Sequence, residues 1–186
     1  MTAVLEHAQR VGMEQVRLLQ DSFNTKSLSL YASLGFDVRE PLGLMDAKPA
    51  AAPDSAVRPG TVADLPALDD LCRRIYQVSR RGEVAAAFAH GFPVFAREGA
   101  GRITAYWLPG FFGHGVAETE TDALALIGAA TRQIPPEFAL FFCPLTDTDF
   151  YRAALQAGHR LRKVMTYMTR GPFVRPAGIW MPSIAY

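Results

Sequence analysis

The stretch "FNTKSLSLYASLGFDV", residues 23–38, decides how the rest of the chain is read. Asn24 carries a side-chain oxygen that can accept backbone N–H bonds at the start of a helix. Leu28, Tyr31 and Leu34 follow at helical spacing and share one face. Gly35 stands just past the helix end, where a positive φ is wanted, and Phe36 opens the next apolar run. The pattern predicts a short helix joining a strand at "QVRLLQ" (15–20) to a strand within "FDVREPLGLM" (36–45). Upstream, Val4, Leu5, Ala8 and Val11 repeat at helical spacing and Gly12 stops that helix. The first 45 residues therefore predict α, β, α, β.

"DAKPAAAPDSA" (46–56) is rich in Pro and Ala, lacks periodicity and reads as a linker. After it the pattern restarts. Residues 58–80 predict a helix, with Thr61 and Asp64 in a capping-box-like pairing and Leu65, Leu68, Leu71, Cys72 and Ile75 on one face. "FPVFARE" and "GRITAYWLP" predict a hairpin around "GAG". A helix over 119–134, a strand over 137–144, a helix over 146–158 and a strand over 159–171 complete the order α, β, β, α, β, α, β. The last four elements of the second half repeat the four of the first. Setting Gly158 against Gly35 places Asp147 over Asn24 and Ala154 over Tyr31 without a gap.

The 186 residues are 49% hydrophobic and 20% charged, as expected of a globular chain with a sizeable core. A net charge of +1 makes no electrostatic case for nucleic acid or a membrane surface. No run of about 18 apolar residues is present, and the first ten residues do not make a signal peptide. Cys72 and Cys143 lack metal-ligand spacing and lie in apolar stretches, which predicts two buried free thiols, no metal site and a cytoplasmic, reduced protein.

Asn24, Tyr31 and the Gly35–Phe36 pair, following a buried strand, resemble the C-terminal half of the GCN5-related N-acetyltransferase (GNAT) superfamily. The resemblance implies an α/β (α+β) acyl-CoA N-acyltransferase fold, a mixed, mostly antiparallel sheet flanked by helices. It also implies a partial C-terminal half over 1–45, the linker over 46–56 and a second, degenerate copy over 57–186. Acetyl-CoA is the implied co-substrate and a small amine the implied acceptor. By the same resemblance Asn24 contacts the cofactor arm, and Tyr31 is the acid that protonates the departing thiolate. Gly113 and Gly115, in "GFFGHG" (110–115), match the spacing of the family's pyrophosphate loop, although Gly110 stands where Arg or Gln is usual. Glu118, Glu120 and Asp122 would oppose an anion there.

His114 reads either as a base for the amine or as a turn histidine bonded to a nearby carbonyl. Glu118 reads either as its partner, or a base itself, or as an ordinary acid at a helix N-terminus. The aromatics of "FFGH", "YW" and "GIWMPSIAY" line a pocket or fill the core. Two functions follow: an acetyltransferase, or a non-catalytic GNAT-like binding or interaction module; a third reading concerns boundaries alone, with the true start upstream of Met1 and the chain a fragment of a longer tandem protein. The open strand edge near 15–20 predicts a homodimer.

Overall fold

The computed structural model describes residues 2–184. Its local geometry follows the capping chemistry. Helix α1 covers Thr2–Arg10, strand β1 Val16–Asp21, helix α2 Thr25–Ser33 and strand β2 Asp37–Asp46. The Asn24 side chain accepts the Ser27 N–H at 3.1 Å, and Gly35 takes φ +84° just past α2. The same corner recurs between β7 (Leu140–Pro144) and β8 (Arg160–Arg170). There Asp147 accepts the Phe150 N–H at 3.2 Å, α6 covers Thr148–Gln156 and Gly158 takes φ +90°.

Between these two units lie β3 (Val57–Pro59), α3 (Leu65–Tyr76), α4 (Arg81–Ala89), β4 (Phe95–Gly99), β5 (Arg102–Trp107), β6 (Gly115–Ala117) and α5 (Glu120–Ala130); β9 (Ile179–Met181) follows β8. The expected hairpin turn is present, with Ala100 and Gly101 both at positive φ. Asp64 accepts the Thr61 N–H at 2.7 Å, as the capping pattern predicts. Four elements were not legible. β3, β6 and β9 are three residues each, too short for alternation to register. Helix α4, "RGEVAAAFA", is mostly small residues and buries only Val84 and Ala87.

Every strand pair is antiparallel, in two sheets. One runs β1-β8-β2-β7 and the other β3-β4-β5-β6-β9. The chain thus has the mixed α/β, antiparallel architecture flanked by helices that the sequence predicts. Strand β2 sits between β8 and β7, with Leu42 opposite both Met165 and Pro144. Strand β1 pairs with β8 on its other edge, Val16 opposite Arg170. Residues 16–46 therefore share one sheet with 140–170. The segment 47–56 forms no helix or strand, and it is tied down: Ala47 N–H donates to Ala139 O at 2.8 Å and Ala50 N–H to Gly128 O at 2.9 Å.

Strand alternation feeds two cores. Tyr106, Ala96, Val116 and Trp180 point toward α3 and α4, with Leu68, Leu71, Cys72 and Val84. Ala105, Trp107, Ala117 and Met181 point the other way, toward Leu126 and Ile127 of α5. β2 and β7 serve both cores: Leu44 and Phe142 enter the first, Met45 and Cys143 the second.

Candidate functional site

On the α3–α4 side the first core opens into a pocket of about 320 Å³. Two segments form most of it. Helix α4 supplies Glu83, Ala86 and Ala87, and the β5–β6 connection supplies residues 108–114. Phe92 and Phe138 close its sides. The lining is aromatic, and Phe112 is 73% exposed at the mouth.

His114 is the buried polar group of this pocket, 3% exposed. Its Nε2 lies 3.0 Å from the Tyr106 hydroxyl, and its Nδ1 lies 3.8 Å from a Glu83 carboxylate oxygen. Burial, reinforced by the nearby Arg80 guanidinium, holds its pKa well below the usual imidazole range, so it is neutral at pH 7. Burial pushes the Tyr106 hydroxyl in the other direction, which keeps it protonated. Arg80 is buried and pairs with Glu83. Cys72 adjoins Tyr106, and burial raises its pKa, so its thiol stays protonated. Both cysteines are free and buried.

The residues singled out from the sequence scatter over the molecule. Asn24 and Tyr31 lie on α2 and line no part of this pocket. Asn24 is exposed and acts as the α2 cap; Tyr31 is half-buried, its ring edge-on to Phe36 at 6.0 Å. Glu118 lies beyond the far end of β6 from His114. It accepts from Arg74 at 2.8 Å and pairs with Arg102, and those guanidinium bonds, Arg102 first, lower its pKa. The carboxylate that faces His114 is Glu83.

Gly113 and Gly115 sit in a connection that feeds strand β6, with α5 starting only at Glu120. The loop was expected to feed a helix, and the three residues of β6 lie between. These glycines answer a packing need. A Cβ on Gly113 would overlap the Leu108 carbonyl, and one on Gly115 would lie 2.6 Å from both Tyr106 O and the Met181 methyl. Most of the local amides are spent as well. Gly113 N–H donates to Gly110 O at 3.0 Å and Glu118 N–H to Thr104 O at 2.9 Å. Gly115, Val116 and Ala117 are paired with β5 on one edge and β9 on the other. A pyrophosphate needs several free N–H groups together. Residues 113–118 do not fit that group. Asn24 is exposed, and its side-chain oxygen is taken by the Ser27 N–H.

Glu83 and Arg80 are the candidate site residues that sequence reasoning missed, and Tyr106 entered it only within the "YW" pair, read as pocket or core. No sequence signal marked Glu83, which lies on the illegible helix α4, or Arg80 just before it. Among the described residues no three His, Cys, Asp or Glu side chains are placed to hold a metal ion, and no helix is long and apolar enough to cross a membrane.

The architecture has close counterparts among solved structures. A candidate acetyltransferase from Pyrococcus horikoshii superposes on 100% of this chain with a TM-score of 0.78 at 13% identity. The fold is that of the GNAT acyltransferases. A candidate GNAT-family acetyltransferase from Novosphingobium aromaticivorans covers 86% of the chain at 14% identity, with a TM-score of 0.53. A GNAT-family acetyltransferase from Colwellia psychrerythraea covers 83% at 12% identity, with a TM-score of 0.54. This chain spans 64% of the Pyrococcus protein, 75% of the Novosphingobium protein and 64% of the Colwellia protein. No protein-family profile matches the sequence, and no curated protein matches it.

Proposed function

We propose that residues 57–184 form a GNAT-like module that binds a small molecule beside His114, and that they do not cradle acetyl-CoA at 113–118. In this reading 1–45 and 57–184 are related copies. Any acetyl transfer to an amine draws on Asn24 and Tyr31 in the first. The observation that carries the proposal is the hydrogen-bond saturation of β6. With both of its edges paired, it offers neither free amides for a pyrophosphate nor a spare strand amide to stabilise a tetrahedral oxyanion. Hydrogen exchange with and without acetyl-CoA tests it. The expected result is protection confined to residues 24–31, or no protection anywhere; protection of 113–118 overturns the proposal.

A second reading has one observation in its favour: a buried imidazole kept neutral at pH 7 at a pocket wall. There His114 takes the proton of an amine acceptor held in the pocket. An acetyl-transfer assay over a panel of small amines, comparing the native chain with His114→Gln, decides between the two. Turnover that falls at least a hundredfold in the variant, with its melting temperature unchanged, selects catalysis at this pocket. Turnover equal in both forms selects the binding module. Among the described residues β1 is the edge strand of its sheet, which suits a homodimer in either case, and light scattering checks this.

A further inference from the structure

We infer that β1 pairs with β1 of a second copy of this chain, antiparallel and about a twofold axis at Leu19. This rests on the homodimer reading above, gives it an interface and a register, and is independent of what the His114 pocket binds. The argument begins with a pseudo-twofold inside the chain. Leu42 faces Met165 across β2 and β8, and these two residues stand at the same separation in sequence as Gly35 and Gly158. Asp21 faces Met165 across β1 and β8, just as Pro144 faces Leu42 across β7 and β2. Each corner thus lends its second strand to the other, and β1 and β7 are equivalent outer strands of one sheet. Their surroundings differ. Every residue of β7 is buried, whereas in β1 only Gln20 is. Helix α5, which precedes β7, buries Leu126, Ile127 and four further residues; α1, which precedes β1, buries none.

The cover that α5 has does not suit α1. Counted by the same offset, Glu6 and His7 of α1 take the places of the buried Ala129 and Ala130. A second sheet laid over α1 would strip water from both. The edge of β1 is better suited to a partner. Its register with β8 runs unbroken from Val16 to Asp21, and it holds no Pro, Lys or bulge, the devices that blunt an edge strand. Its charged residues are Arg17 and Asp21, on the same face as Leu19. With Leu19 on the axis, Arg17 meets the partner's Asp21, Asp21 meets the partner's Arg17, and Leu18 meets the partner's Gln20. Opposite charges set face to face across an antiparallel pair attract. An axis at Arg17 or at Asp21 would set like charges face to face, so the strand selects its own register. Asp21 accepts from Lys163 Nζ at 2.7 Å through Oδ1, which leaves Oδ2 to the partner's Arg17. The Arg17 guanidinium lies over the Tyr76 ring, 4.9 Å from its centre, and brings its charge to this edge. Val4, Val11 and Met13, each more than half exposed, add apolar surface next to the strand, and Met13 lines one groove with Val16.

Analytical ultracentrifugation of the intact chain over a range of concentrations tests this, with hydrogen exchange of the 16–21 amides alongside. The native chain is expected to form dimers, and those amides to gain protection as the concentration rises. Arg17→Glu and Asp21→Arg each set like charges across the axis and are expected to weaken the dimer at least about tenfold. The double variant re-forms the pair with its signs exchanged and is expected to restore the dimer, which a merely structural loss at either position would not allow. Where a variant melts early, the exchange result on the native chain decides. A chain that is monomeric at every concentration overturns the self-pairing and the homodimer reading with it, and leaves the edge to a strand of another protein. A dimer indifferent to both single reversals, or one whose 16–21 amides exchange alike at low and high concentration, keeps the homodimer and overturns this interface. A double variant no better than the singles overturns the register.

Discussion

Two buried histidines make the protein acid-sensitive. His159 is 1% exposed, its Nδ1 accepts the Lys48 N–H at 2.9 Å, and burial lowers its pKa from 6.5 to about 4. His114 is shifted in the same direction. A histidine whose folded pKa lies below its unfolded value takes up a proton on unfolding. Its stability contribution is complete above pH 6.5 and is lost as the pH falls toward the folded value. For His159 alone the loss between pH 7 and pH 5 is about 2 kcal/mol. Urea melts at the two pH values check this, and a flat profile refutes it. Glycines separate just as sharply. Gly113→Ala must push against the Leu108 carbonyl and should cost about 1–3 kcal/mol. Gly82→Ala places its methyl in open space on α4 and should gain up to about 1 kcal/mol. Paired thermal melts give the contrast.

At the scale of elements, the two strand–helix–strand corners use the same device, a side-chain cap and a positive-φ glycine. Asn24→Ala and Asp147→Ala each remove a cap bond and should each cost about 1 kcal/mol. The values should differ little, because both caps have similar backbone angles, φ −86°, ψ 78° and φ −79°, ψ 78°. A cost near zero at either position, read from chemical denaturation, would contradict the capping account. The two corners differ in what they bury. Tyr31 and its counterpart Ala154 occupy one helical position, yet Ala154 is fully buried against α5 while Tyr31 is half-exposed. The acids at the start of α5 are less repulsive than their sequence suggests, because Glu118 meets Arg74 and Arg102 and Asp122 meets Arg97.

At the scale of the whole molecule, stability depends on the sheet β1-β8-β2-β7. Leu42, Leu44 and Met45 are buried from the second half's strands outward into both cores. Full burial of each is worth about 1.5–3 kcal/mol, so the three together approach the roughly 5–15 kcal/mol that holds a domain folded. A chain of residues 47–184 and a chain of residues 1–46 should therefore each fail to melt cooperatively by circular dichroism. A sharp transition in either would show that the shared sheet is dispensable.

Local signals carried much of this architecture. Asn24, Gly35, Asp147 and Gly158 act on neighbours within four residues, so both corners and the hairpin at Gly99–Arg102 were legible from residue types and spacing, while the GNAT-like plan came from the family resemblance. The pocket was only half visible. His114 and the "FF" pair were marked, but their partners come from α4 and β5, and no spacing rule links Glu83 to His114 across 31 positions. The family resemblance read the glycine spacing at 113 and 115 as a phosphate loop, and the tertiary structure gives these glycines a packing cause: the Leu108 and Pro109 carbonyls crowd Gly113, and the Tyr106 carbonyl and Met181 side chain crowd Gly115. A backbone hydrogen bond taken by a distant strand such as β9 leaves no trace in the local pattern. Whether an amide is free for a ligand or already spent is therefore settled only when the whole chain has packed.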